Sequence, residues 1–239
     1  MYQFERNRSP LKVFNVLAVM FTYFVGYLYL LPRLIVYVSD KILHTYEYVM
    51  YMQFGCFILI TFIVVLLSKS IFIEANENRY DNRQNNFSYA IRSLVVMYGW
   101  MIFLNLIINF LTQQSSSINQ MDIINLSMNY PVLTFIMAVV LAPIAEEVVF
   151  RGVIFRSLRN INYPIAIFTS SLLFGFVHVA SAVFSGNYAD MMYVIVYAML
   201  GYYIGSNYER SGNIYIAIGM HATLNLVSMV LMFLARLAG

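Results

Sequence analysis

Apolar residues fill long unbroken runs of this chain, and short polar breaks separate the runs. A helix rising 1.5 Å per residue needs about 20 mainly apolar residues to cross a bilayer. Windows of that kind fall at 12–32, 48–68, 91–112, 130–151, 164–184, 190–208 and 213–236, the sixth being the shortest. They predict an all-α, polytopic membrane helix bundle of about seven transmembrane helices. The hydrophilic stretch from Lys69 to Ser88, with EANENRYDNRQNN at its centre, reads as a solvated loop. It separates N-terminal membrane helices and their loop, residues 1–89, from a second unit, 90–239, whose motif-bearing core spans 130–236.

Basic residues are unevenly shared among the breaks. With the N-terminus inside, the inner side holds Arg6, Arg8, Lys12, Lys69, Arg79, Arg83, Arg92, Arg156, Arg159 and Arg210, against Arg33, Lys41 and Arg236 outside. The excess of Lys and Arg on cytoplasmic loops therefore predicts a cytoplasmic N-terminus. The polar segment TQQSSSINQMDIINLSMN has no Lys or Arg and is expected to be an outer loop. The first run follows basic residues as a signal peptide would, but it is long and lacks a small-x-small cleavage site, so a retained helix is expected. No lipidation signal is expected at the end of the chain.

Composition agrees with membrane insertion. Of 239 residues, 61% are hydrophobic and 10% charged, and the mean hydropathy is +0.72. That leaves too little polar surface to cover a soluble domain. A net charge of +3 offers no footing for nucleic acid. The expected surroundings are the lipid bilayer, and the low-GC flavour of the Asn, Ile and Tyr content suggests a bacterial plasma membrane. The single cysteine, Cys56, excludes an intramolecular disulfide and a Cys-based metal site, so a metal would need carboxylates and His44, His178 or His221.

Charged groups inside apolar runs cost about 2.5 to 3.5 kcal/mol each on insertion scales, so each asks for a partner or a role. The fourth run contains APIAEEVVFRG, with Glu146, Glu147 and Arg151. Glu147 and Arg151 stand one turn apart in the favourable order for an ion pair, whereas Glu146 points about 100° away and needs partners elsewhere. Arg156 and Arg159 are expected to mark the interface, which leaves Glu146 buried deeper, and Pro143 is expected to kink the helix beside a cavity. His178 follows Phe174 by one turn in the fifth run, and His221 precedes Asn225 by one turn in the last. Counted from Tyr163, His178 is expected about 22 Å along its helix, too deep to meet Glu146 without tilt. His44 lies in a break and is expected at the surface, and Asn105 with Asn109 is expected to join helices.

A carboxylate, two imidazoles and a carboxamide are the parts needed to hydrolyse an amide. The acid can accept a proton from attacking water, an imidazole can position that water or protonate the leaving amine, and N–H donors can stabilise an oxyanion. Glu146, His178 and His221 can equally be read as ligands of a zinc ion with an open water position. No HExxH or GxSxG motif is present, and Thr169, Ser170 and Ser171 are expected to bond backbone.

The ordered set EEVVFR, FGFVH and HATLN matches EExxxR, FxxxH and HxxxN on separate helices. It resembles the CPBP family of intramembrane endopeptidases, the CAAX protease and bacteriocin-processing or Abi peptidases, over about Tyr130 to Arg236. The resemblance implies a membrane-associated peptide or protein as substrate, with the cavity open to the cytosol. It implies Glu146 and His178 as the water-activating pair, His221 and Asn225 as the oxyanion site, and Glu147, Arg151 and Phe174 in support. The family is described both as metalloprotease and as metal-free. A non-catalytic scaffold or self-immunity protein, and an ion-coupled transporter, are the other readings of these embedded groups.

Overall fold

The computed structural model describes residues 11–77 and 83–238. Arg6, Arg8 and Arg79, counted above toward the inner side, lie outside the described residues, as do the side chains of Arg83 and Arg236. The elements in chain order are α1 (Val13–Leu43), α2 (Val49–Leu67), α3 (Lys69–Glu77), α4 (Arg83–Thr112), α5 (Ile118–Asn129), α6 (Pro131–Arg159), α7 (Tyr163–Phe184), α8 (Tyr193–Ser211) and α9 (Ile214–Ala238). A short 3-10 turn, Tyr188–Met192, precedes α8. The protein is an all-helical integral membrane bundle, and no strand occurs among the described residues.

Six helices, α1, α2, α4, α6, α7 and α9, are long and apolar enough to cross a membrane. The segment expected as a seventh is helical as α8, but Asn207, Glu209 and Arg210 dilute it, and it is absent from those six. Its neighbours shelter it: Tyr193, Gly201, Ile204, Asn207 and Tyr208 are all buried. Three further expectations change. The first helix continues past residue 32 to Leu43. The stretch after Lys69 is not simply a solvated loop, because α3 buries Ile71 and Ala75 in the core and Glu74 binds Arg156 at 2.7 Å. The polar segment expected as an outer loop contains α5, started by Ser117, whose side chain accepts from Gln120 N–H.

Arg156 is 4% exposed, so its pairing with Glu74, not headgroup contact, accounts for its position. Arg159 instead meets Glu209 at 2.6 Å and is partly exposed. Helix α6 also differs from a regular kinked helix. It carries wide π-helical turns at Ile136–Leu141 and Val148–Phe155, with Ala142–Glu147 regular between them. Pro143 falls at the first wide turn. In five-residue register the carbonyl of Ala138 would meet the proline nitrogen, which has no hydrogen to give.

The centre of the bundle is the crossing of α7 and α8. A Cβ on Gly175 would come within 2.6 Å of Val194 O and 2.9 Å of Ala198 N, and one on Gly201 within 3.0 Å of Ser171 Cα. Backbone atoms cannot step aside as a side-chain tip can. Gly175→Ala is therefore expected to cost about 1 to 3 kcal/mol, read as a lower unfolding midpoint in detergent. Ser170 hydroxyl donates to Phe150 O and ties α7 to α6, as expected of a backbone-bonding hydroxyl. Asn105 and Asn109 do not join helices: their amides donate to Met101 O and Gln114 O of their own segment. His44 is exposed, in a left-handed conformation at the end of α1.

Candidate active site

Three helices place their ionisable groups around one cavity of about 210 Å³. Helix α6 contributes Glu146, α7 contributes Phe174 and His178, and α9 contributes His221 and Asn225. The depth conflict lay in the marker used for α6: Arg156 is buried and does not mark the interface, and Glu146 meets His178 although α7 starts at Tyr163 as expected. His178 Nε2 lies 3.6 Å from Glu146 Oε2, with both side chains partly open to the cavity.

The adjacent acids take separate partners, as their angular separation requires. Glu147 is fully buried, Arg151 Nη1 donates to its Oε1 at 3.0 Å, and the same nitrogen stands 3.0 Å from Oε2. Arg151 also donates to Gly201 O at 3.1 Å. His221 departs from its expected pairing. Its Nδ1 donates to Glu147 Oε1 at 2.8 Å, so Glu147 and not Glu146 fixes this ring. A third helix brings that contact, and a turn-to-turn reading of α6 cannot reveal it.

Donor and acceptor roles follow from the partners. Phe174 O can only accept, so His178 Nδ1, 2.7 Å away, carries the hydrogen. A neutral His178 then turns the Nε2 lone pair toward Glu146 Oε2, which accepts no hydrogen bond from the protein. Two acceptors face each other across a gap too long for a direct bond. A water on the cavity side of the pair, off the line joining the two atoms, can reach both with its two hydrogens. Asn225 is similarly directed: its amide nitrogen donates at 2.7 Å to Ala138 O, the carbonyl at the proline turn, and keeps one N–H to spare.

Phe174 is the hub of the aromatic packing. Its ring centroid lies 4.5 Å from that of His178 and 5.6 Å from that of His221. Arg151 sits over its face at 4.5 Å. Tyr197 of α8 stacks on the other side of His178, with centroids 4.4 Å apart and planes 23° from parallel. Tyr27 of α1 also lines the cavity and stacks on Phe57 at 4.6 Å. Neither tyrosine stood out among 20 in the sequence.

The same test bears on a metal. Glu146 and His178 are suitable donors, and the bond from His221 Nδ1 to Glu147 leaves Nε2 as that ring's ligating nitrogen. No three His, Cys, Asp or Glu converge as a metal cluster among the described residues. The expected trio Glu146, His178 and His221 has the donor types of a three-ligand zinc site but is not drawn together into one in this arrangement.

Outside the membrane helices, Asp190 accepts from Ile118 N–H at 2.9 Å at the start of α5. Burial raises its pKa, the Ile118 bond opposes that shift, and Asp122 adds to it. A raised folded-state pKa means that this group's contribution to stability is full at low pH and is lost as pH rises through that value.

Residues 128–227 match the family described as "Type II CAAX prenyl endopeptidase Rce1-like". This span contains the whole of α6, α7 and α8 and every motif residue. The chain is 31% identical over 94 residues to "Putative membrane peptidase YdiL" of Bacillus subtilis (strain 168), covering 39% of this chain and 34% of that protein. It is 32% identical over 103 residues to an uncharacterized protein of Mycoplasma capricolum subsp. capricolum, covering 43% and 28%. The chain thus spans about a third of the length of these curated relatives. No solved structure matches. Helices α1 to α4 and nearly all of α5 lie before the matched residues, yet Tyr27 and α5 line the same cavity.

Proposed function

We propose that this protein is an intramembrane endopeptidase that cleaves a membrane-associated peptide or leader with water activated by Glu146 and His178. The observation that carries the reading is the 3.6 Å gap between His178 Nε2 and Glu146 Oε2, two acceptors at the edge of a cavity. A water there can donate one hydrogen to each and present its oxygen lone pair to a carbonyl. Attack on the carbonyl carbon transfers a proton to Glu146 and leaves a negative oxygen on the tetrahedral carbon.

His221 and Asn225 have the donors to meet that oxygen. Glu147 holds the His221 ring by Nδ1, while Ala138 O orients the Asn225 amide. Collapse of the intermediate breaks the C–N bond, and the proton held by Glu146 passes to the leaving amine. The uneven distribution of Lys and Arg supports a cytoplasmic N-terminus and a cavity served from the cytosolic side of a bacterial plasma membrane.

The reading is tested with purified protein in liposomes containing quenched-fluorescence peptides. Internal cleavage is expected, and it should persist after chelation because no three His, Cys, Asp or Glu converge as a metal cluster among the described residues. Stoichiometric zinc lost together with activity would replace activated water by a metal mechanism. Transport without cleavage would overturn the peptidase.

A further inference from the structure

Helix α5 gives the cavity a wall that precedes nearly all of the family-matched residues. Asn119, Ile123 and Leu126 share one helical face and, with Gln120, line the cavity, whereas Asp122 and Asn125 are exposed. The polar end lies by the N-terminus of α5 and the apolar end two turns later. Carboxamides can both donate to and accept from an extended peptide backbone, and Ile123 with Leu126 suits an apolar side chain.

The polar end is anchored by residues at and before the start of α8. Ser117 and Tyr197 hydroxyls lie 2.7 Å apart, Asn119 Nδ2 donates to the same Tyr197 oxygen at 3.3 Å, and Asp190 accepts from Ile118 N–H. Tyr193 adds a bond from its hydroxyl to Gln114 O at 3.1 Å. Only Tyr197 among these also touches the candidate catalytic groups, through its stacking on His178. One rigid side chain therefore connects the N-cap of α5 to the imidazole facing Glu146.

We propose that α5 selects the substrate, its carboxamides taking peptide backbone and Ile123 with Leu126 taking an apolar side chain near the scissile bond, and that Tyr197 positions α5 against His178. This rests on the peptidase reading. A well-seated α5 holds the Tyr197 hydroxyl, and the tyrosine ring limits rotation of His178. Removing the hydroxyl frees the wall but leaves the stacked ring in place.

The full-length protein in detergent micelles is assayed with quenched-fluorescence decapeptides in which one position is Ala, Leu, Phe or Trp. Ile123→Ala is expected to raise the kcat/KM ratio of Trp to Leu peptides by about fivefold. Tyr197→Phe is expected to raise KM about fivefold while kcat stays within about twofold. Amide exchange over residues 118–126 should quicken by about tenfold in Tyr197→Phe. If that variant fails to fold, Ser117→Ala removes the same contact from the other side together with the cap on Gln120 N–H, and it is read by the KM increase alone. Unchanged exchange overturns the role of Tyr197 whether or not any peptide is cut. Cleavage with unchanged selectivity in Ile123→Ala overturns selection by α5 and leaves the peptidase standing, whereas absence of wild-type cleavage strikes the peptidase reading itself.

Discussion

Glu146→Gln is expected to lower single-turnover peptide cleavage by about 10²- to 10⁴-fold without lowering the unfolding midpoint. The carboxamide matches the carboxylate in shape but cannot accept the proton of attacking water. Its N–H can donate across the gap to His178 Nε2, so the two acceptors that face each other at 3.6 Å become a donor and an acceptor. The variant therefore removes the facing of two acceptors, an arrangement that leaves both unsatisfied by each other. Activity and stability should move apart, with the protein at least as stable and nearly inactive. A protein acting as scaffold or immunity factor would keep its function in this variant at matched protein levels. Retained peptide cleavage would remove Glu146 from the chemistry altogether.

The separation of Glu146 from Glu147 was legible because both lie on one helix, where residue spacing sets direction. The same local rule paired Glu147 with Arg151 correctly, and both are fully buried. It could not assign His221, because the contact to Glu147 depends on how α9 packs against α6, 74 residues away in the chain. Depth failed for a related reason. Arg156 was treated as an interface marker, although Glu74 from α3 supplies an internal partner that hydropathy does not reveal.

Helix α5 was missed although its start carries a signal. Ser117 and Gln120 have the S-x-x-Q spacing of a capping box, and the Ser117 hydroxyl accepts from Gln120 N–H at 3.2 Å. The polar composition of the surrounding segment outweighed that spacing because the search was for apolar runs. Tyr197 had no comparable signal. A tyrosine in an apolar run is ordinary, and its meaning comes from two contacts on different helices, Ser117 and His178. The wide turns of α6 were equally hidden, since Pro143 announces a disturbance but not the direction of the repair by Asn225.

Arg151→Leu is expected to destabilise the protein by about 3 to 5 kcal/mol, and Glu147→Leu/Arg151→Leu together should recover much of that loss. The single change leaves the Glu147 carboxylate fully buried with His221 as its remaining ionisable partner, and it also removes the cation over Phe174. The double change removes both charges and fills the space with apolar side chains, which a buried site tolerates better than a lone ion. Recovery of stability should not restore cleavage. His221 would have lost the acceptor that fixes its Nδ1 hydrogen, so its ring could no longer be held ready for the oxyanion. Unfolding midpoints and single-turnover rates measured on the two variants separate these effects. If the double variant regains activity along with stability, Glu147 and Arg151 serve packing alone and His221 needs no carboxylate behind it.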